Sequence, residues 1–186
     1  SSYAQAAAMA MGRAMDDVII AAATGTAFTG ETGATSTAAQ TAIAAGGAGL
    51  TIAKLRTAKQ TFDLASVDPS IPRHIVVGPE QITNLLSTTE VTSSDFNTVK
   101  ALVQGEIDSF LGFKFTVSNR LAKSGNDRTC IAFAQDGITL AIGKDVSARI
   151  DERADKSYAT QVYYCQSIGS TRMEEAKVLG IVCQEA

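Results

Sequence analysis

Residues 3–23, YAQAAAMAMGRAMDDVIIAAA, constrain the fold more than any other stretch. Alanine and methionine favour the helix. Met11, Met15, Val18 and Ile19 fall at helical spacing, while Arg13, Asp16 and Asp17 gather on the opposite side. The stretch therefore predicts one long amphipathic rod, about 30 Å from end to end. Its alanines allow close backbone packing. Its methionines read as packing side chains rather than as a ligand-binding stripe.

The material after the rod is different. Residues 24–49 are dominated by Gly, Thr, Ser and Ala, which predicts an exposed loop or a pair of loose hairpins and marks a boundary between two parts of the molecule. LTIAKLRTAKQTFDLA, from Leu50, predicts a second helix with Thr51 as N-cap and Ile52, Leu55, Ala58 and Phe62 in one stripe. VDPSIPR is a turn set by Pro69 and Pro72. HIVVGPEQITNLL reads as a buried strand, a turn, and a helix with Pro79 in its first position and Ile82, Leu85 and Leu86 facing inward. A further helix is expected from near Ser94, carrying Phe96, Val99 and Leu102.

In GEIDSFLGFKFTVSN, residues 105–119, Ile107, Phe110 and Leu111 cover one side of a turn that Gly112 stops in the left-handed conformation. Phe113, Phe115 and Val117 then alternate with Lys114, Thr116 and Ser118 as a half-buried strand. SGND is a turn and TCIAFA a strand, while DGITLAIG predicts a short helix capped by Asp136. From Ala148 the pattern is β: ARIDER, the long alternating TQVYYCQSIGSTR, and KVLGIVCQ. The fold class is α+β: a long helix, an α/β middle and a closing antiparallel sheet.

Composition excludes several function classes. The chain has 186 residues, enough for a real core, with 45% hydrophobic and 19% charged residues. A net charge of −3 argues against a general nucleic-acid binder, whose contact face needs excess Lys and Arg. No apolar run reaches the ~20 residues that cross a bilayer, so no membrane partner is expected. No signal peptide is evident, and the opening Ser1 points to a processed or trimmed chain. Cys130, Cys165 and Cys183 are odd in number and scattered, which predicts buried, inert thiols in a reducing compartment.

Reactive chemistry finds no footing. His74 is the sole histidine and reads as structural, because a zinc site needs about four ligands at suitable spacing. Any nucleophilic triad would have to use the same His74, and no G-x-S-x-G elbow supports one. GETGATS lacks the lysine of a phosphate loop, GKDV at Gly143 lacks its glycines and hydroxyl, and AAGGAGLT does not follow a strand. Asp16-Asp17, Asp151-Glu152 and Glu174-Glu175 are adjacent pairs. On a strand such neighbours point to opposite faces and cannot converge on a cleft. No catalytic, cofactor-binding or metal-binding residue is assigned, and the chain reads as no enzyme.

The order of the pieces resembles the major capsid protein of tailed bacteriophages, the Hong Kong ninety-seven type. RAMDDVIIAAATGTAFTG is similar to that family's spine helix and the loop after it, and LTIAKLRTAKQTFDLA with RHIVVGPEQITNLL to its axial domain. GEIDSFLGFKFTVSNRL is the most specific passage, and DGITLAIGKDVSARIDERADKSYATQVYYCQSIGSTRM with AKVLGIVC resembles the return into the peripheral domain. The resemblance implies a wedge-shaped subunit, with residues 1–48 and 146–186 forming the peripheral domain and 49–145 the axial domain. It implies a homo-oligomer: pentamers and hexamers of an icosahedral shell, assembled in the host cytoplasm. The shell would enclose double-stranded DNA without reading its sequence and would meet scaffolding, portal or decoration proteins. Arg13, Asp16, Asp17, Arg149, Asp151, Glu152 and Arg153 are the candidate contacts between subunits. The family's N-terminal arm and extended loop are missing from the chain as given. ADKSYAT has no Asn acceptor, so the Lys–Asn cross-link of some members is not expected. The rival readings are an encapsulin-like compartment shell, which shares the fold, and a small α+β enzyme or binding domain.

Overall fold

The computed structural model describes residues 2–87 and 109–185. The N-terminal rod is a single helix, α1 (Ser2–Thr24). Met11, Ala14, Met15 and Val18 are half-buried on one side, whereas Arg13, Asp16 and Asp17 face solvent. The Gly/Thr-rich material that follows forms one small hairpin, β1 (Ala27–Thr29) with β2 (Thr35–Thr37). Beyond it the chain runs alongside the last strand, and Ile43 makes a single parallel bridge to Ile181.

Helix α2 (Ile52–Leu64) starts where its cap requires. Thr51 Oγ1 accepts from Lys54 N at 3.3 Å. Its predicted stripe is the heart of the core: Leu55, Ala58 and Phe62 have no exposed surface. The Phe62 ring lies 6.0 Å from that of Phe113 and stacks under the Arg73 guanidinium at 5.5 Å. Helix α3 (Pro79–Ser87) begins on its proline and buries Ile82 and Leu85.

These helices cover a six-stranded mixed sheet. Its strands are β3 (Arg73–Val77), β4 (Ser109–Phe110), β5 (Phe113–Val117), β6 (Lys123–Ser124), β7 (Asp127–Ala134) and β10 (Val178–Gln184). The order is β10-β7-β3-β5-β4, with β6 paired to β7. β3 runs parallel to β5, with Ile75 opposite Phe115, and antiparallel to β7, with Ile75 opposite Ala132. The covered face is made of Ile75, Val77, Phe113, Phe115, Ala132, Leu179 and Ile181. A Cβ on Gly180 in β10 would stand 3.1 Å from the Ala42 methyl, so glycine eases the close approach of the preceding loop to this strand.

Two strands stand apart from this sheet. β8 (Ile138–Arg153) and β9 (Ala159–Arg172) pair only with each other, as a long antiparallel ribbon. The register runs from Ile138↔Arg172 to Arg153↔Ala159. A short 3-10 turn at Ala154–Lys156 and two left-handed residues, Ser157 and Tyr158, reverse the chain at the tip.

The structure corrects three expectations. DGITLAIG is not a helix: Ile138, Leu140 and Ile142 open β8, and their spacing of two is a strand period. Phe110 and Leu111 do not end a helical turn. Ser109–Phe110 pairs with β5 through a two-residue hairpin loop whose central residues, Leu111 and Gly112, both have positive φ, 53° and 84°. That is the type I′ pattern, which matches strand twist. Gly112 is left-handed as expected, for a different reason. Thirdly, Cys165 is only half-buried, unlike Cys130 and Cys183. The helix expected near Ser94, and Ile107, lie outside the described residues.

Buried charges hold the seams of the lobe. The ammonium of Lys54, a residue 9% exposed, donates to the carbonyls of Ala48, Gly49 and Val182 at 2.7–2.9 Å, tying the loop before α2 to the last strand. Glu185, 4% exposed, accepts from Arg128, Lys123 and Gln81. Arg128 and Lys123 hold its carboxyl down at about 2. A carboxyl depressed on folding contributes stability above its unfolded value of about 4.3, and this is lost as pH falls towards the folded value. The urea midpoint of the wild type should therefore exceed that of Glu185→Gln at pH 6, and the two should converge as pH falls from about 4 to about 2. Parallel curves across that window would show that the carboxylate does not clasp the C-terminal strand.

Candidate functional site

Among the described residues His74, Cys130, Cys183 and the carboxylate pairs do not converge on a conventional site. Among the described residues no group of three or more His, Cys, Asp or Glu could hold a metal ion. His74 sits in β3, its ring stacked on Phe133 with centroids 5.6 Å apart. Cys130 and Cys183 are fully buried, and Cys130 is pushed up by its hydrogen bond to Cys183 and by burial. A raised, inaccessible thiol is unreactive. The carboxylate pairs do not converge either: alternation along β8 sends Asp151 and Glu152 to opposite faces of the ribbon. No helix among the described residues is long and apolar enough to cross a membrane.

What the sequence does build is an extended surface made by α1 and the ribbon. The anchor is Arg172, the last residue of β9, whose side chain has no solvent exposure. Its Nη1 donates to the carbonyls of Ala22 (3.0 Å), Ala23 (3.3 Å) and Gly25, and its Nη2 to Thr37 O at 3.1 Å. The carbonyls of Ala22 and Ala23 belong to the last turn of α1, which has no intrahelical donors for them. The cation also sits at the negative end of the helix dipole. Glu175 balances its charge from 3.7 Å. Further along, Gln166 Nε2 donates to Met11 O at 3.4 Å. Near the helix start, Tyr3 and Ala7 face Thr160, Val162 and Tyr164 across a groove of about 410 Å³. The first and last stretches of the chain are thus in contact along most of the rod.

The ribbon register sorts the candidate contact residues. Ser147, Arg149 and Asp151 stand opposite Cys165, Tyr163 and Gln161 and share one face. Ala148, Ile150 and Glu152 stand opposite Tyr164, Val162 and Thr160 on the other, the face that meets α1. All four charged candidates on β8 are exposed, as are Arg13, Asp16 and Asp17 on α1. Two already have partners in their own chain. Asp17 accepts from Nε and Nη2 of the Arg120 guanidinium, which holds its carboxyl below the usual range. Arg153 pairs with Asp155 at the ribbon tip.

Charge alone misses the apolar part of this surface. Ile150 is 69% exposed, Tyr163 51%, Ile142 52% and Tyr3 80%, far more than such side chains show in a finished core. The available signal was ARIDER itself, where an isoleucine sits unsheltered between charges.

A family model for phage capsid protein matches residues 1–185. No curated protein sequence matches the chain. Among solved structures, the chain is similar to a protein of Mycobacterium phage Che8, at TM-score 0.69 and 23% identity over 96% of this chain and 61% of that one. It is also similar to the capsid of Cyanophage P-SCSP1u, at 0.65 and 17% over 98% and 66%. The head of Helicobacter pylori bacteriophage KHP40 gives 0.66 and 12% over 97% and 68%. The chain thus spans less than two thirds of the length of the first two and about two thirds of the third. These likenesses show the fold, that of the tailed-phage capsid proteins.

Arg172→Met keeps the aliphatic stem but leaves buried carbonyls without donors, a loss of about 2–4 kcal/mol. For a chain of this size the melting temperature should fall by about 5–15 °C. Arg172→Lys should recover only part, because one ammonium cannot span carbonyls from α1 and β2 together. A melt of Arg172→Met within about 1 °C of the wild type would remove the anchor role.

Proposed function

The chain belongs to the phage capsid protein family, a family of structural proteins rather than enzymes, and from that premise we propose that it is a major capsid subunit that works by self-association. Its place is the capsid of the virion. In this reading it forms the rings of five and six of an icosahedral shell around double-stranded DNA, which it holds without reading sequence. Scaffolding, portal or decoration proteins would be its other partners.

The observation that carries this reading is the unfinished ribbon. A two-stranded ribbon is marginal in water by itself. Here it projects from the sheet with Ile142, Ile150, Tyr158 and Tyr163 more than half exposed. Side chains of this kind are stable when a neighbouring subunit covers them. Heterologous contacts repeated around a ring close it, and many modest contacts add up in a closed shell. Arg149 and Asp151 lie in one row on the outer face, and Glu152 lies beside Ile150 on the other. Opposite charges in a row suit pairing with a copy of the same row. On this reading residues 1–48 with 146–186 are the peripheral domain and residues 49–145 the axial domain, except that β10, inside 146–186, is a strand of the six-stranded sheet beside β7. The division at 146 then falls where β8 is bulged, between Lys144 and Ser147.

The test is electron microscopy and sedimentation of the full-length protein, which should give closed shells. A protein that stays monomeric under every assembly condition would defeat the reading. Ile150→Asp should leave the melting temperature within about 2 °C, since the residue is outside the core, yet abolish shells. Normal shells from Ile150→Asp would reject the ribbon contact while leaving the capsid reading intact.

A further inference from the structure

Along β8 the ladder to β9 breaks register twice, between Ile142 and Lys144 and between Lys144 and Ser147. A β-bulge re-aims side chains that a regular strand would send elsewhere. Here Lys144 and Ser147, three residues apart, both reach the same atom on the partner strand. Lys144 Nζ donates to Cys165 Sγ at 3.1 Å, and Ser147 Oγ lies 2.9 Å from that sulfur. All three line an open groove on the ribbon face, together with Arg149, Asp151 and Tyr163. Water and small solutes therefore reach the sulfur, which they cannot do at Cys130 or Cys183.

We propose that Lys144 and Cys165 are the two halves of an oxidative cross-link, joined as a sulfenamide when the protein meets hydrogen peroxide. In the first step the Cys165 thiolate attacks one peroxide oxygen, the O–O bond breaks, and a sulfenic acid and hydroxide form. The hydroxide takes a proton from the Lys144 ammonium. The free amine then attacks the sulfenic sulfur, forming the S–N bond and expelling the hydroxyl as water with the second amine proton. In sum, thiolate, ammonium and one peroxide give the sulfenamide and two waters. Sulfur is oxidised and peroxide reduced by two electrons.

Three features favour this step over further oxidation of the sulfur. The nitrogen already stands at near-attack distance, about 3–3.5 Å. Both residues are in paired strands, so the geometry survives the first oxidation. The Ser147 hydroxyl, and after it Lys144, hold the Cys165 thiol below the usual thiol range, which raises the nucleophilic fraction. The product would tie β8 to β9 by a covalent bond where the backbone ladder is interrupted. This inference does not depend on the capsid reading.

The experiment treats the full folded chain with hydrogen peroxide, blocks free thiols, and maps peptides by mass spectrometry. The expected result is a Lys144–Cys165 linked peptide, lighter than its two parts by two hydrogens and released by a thiol reductant. Lys144→Arg keeps the positive charge but should lose the link and carry Cys165 on to sulfinic acid. Cys165→Ser should also lose it, which separates the link from any bond between Cys130 and Cys183. Sulfinic acid at Cys165 of the wild type without a linked peptide would overturn the proposal. So would a disulfide-linked dimer through Cys165.

Discussion

One guanidinium holds three pieces of chain together. The end of α1 and the exit from β2 meet Arg172 at the end of β9, and its planar fork donates to carbonyls from both. A helix end buried against a sheet is costly unless its last carbonyls find partners. The direction of the rod along the ribbon follows from that need. Gln166 and the contact of Tyr3 and Ala7 with β9 then extend the alignment towards the helix start.

The same device recurs at the other seams. Lys54 answers carbonyls from the loop before α2 and from β10, Glu185 gathers Arg128 and Lys123, and Arg73 joins Asp63 and Val67 while lying over Phe62. The apolar layer between helices and sheet supplies most of the drive to fold. It does not say how a loop should meet a strand. The buried charges do, because each loses much more when its partners are displaced than a methyl group would.

Much of this architecture was legible before any coordinates. The stripe Ile52–Leu55–Ala58–Phe62, the Thr51 cap and Pro79 are local signals that need no distant partner, and each is realised. The start of β8 was not legible, because a short apolar run such as ITLAIG reads equally as helix or strand. Its identity comes from Arg172 and Thr171, more than thirty residues on. Nothing in the sequence marks Arg172 or Lys54, since their partners are main-chain carbonyls that leave no trace in composition. The candidate surface was half legible: its charges stood out and Ile150 was marked only by its place between charges in ARIDER, while Tyr163 was indistinguishable from a core residue until the ribbon proved to be uncovered. Identities of 12–23% to proteins of the same fold make the same point, since the pattern survives where individual side chains do not.

The isolation of the ribbon has a mechanical corollary. β8 and β9 share no ladder with the six-stranded sheet, and they join it through the short stretches around Gly137 and Met173, where Met173 N donates to Gly137 O. Flexing the outer part of the ribbon, beyond Gln166, therefore breaks none of the hydrogen bonds of the six-stranded sheet, whereas its base is held by Arg172 and Gln166 against α1.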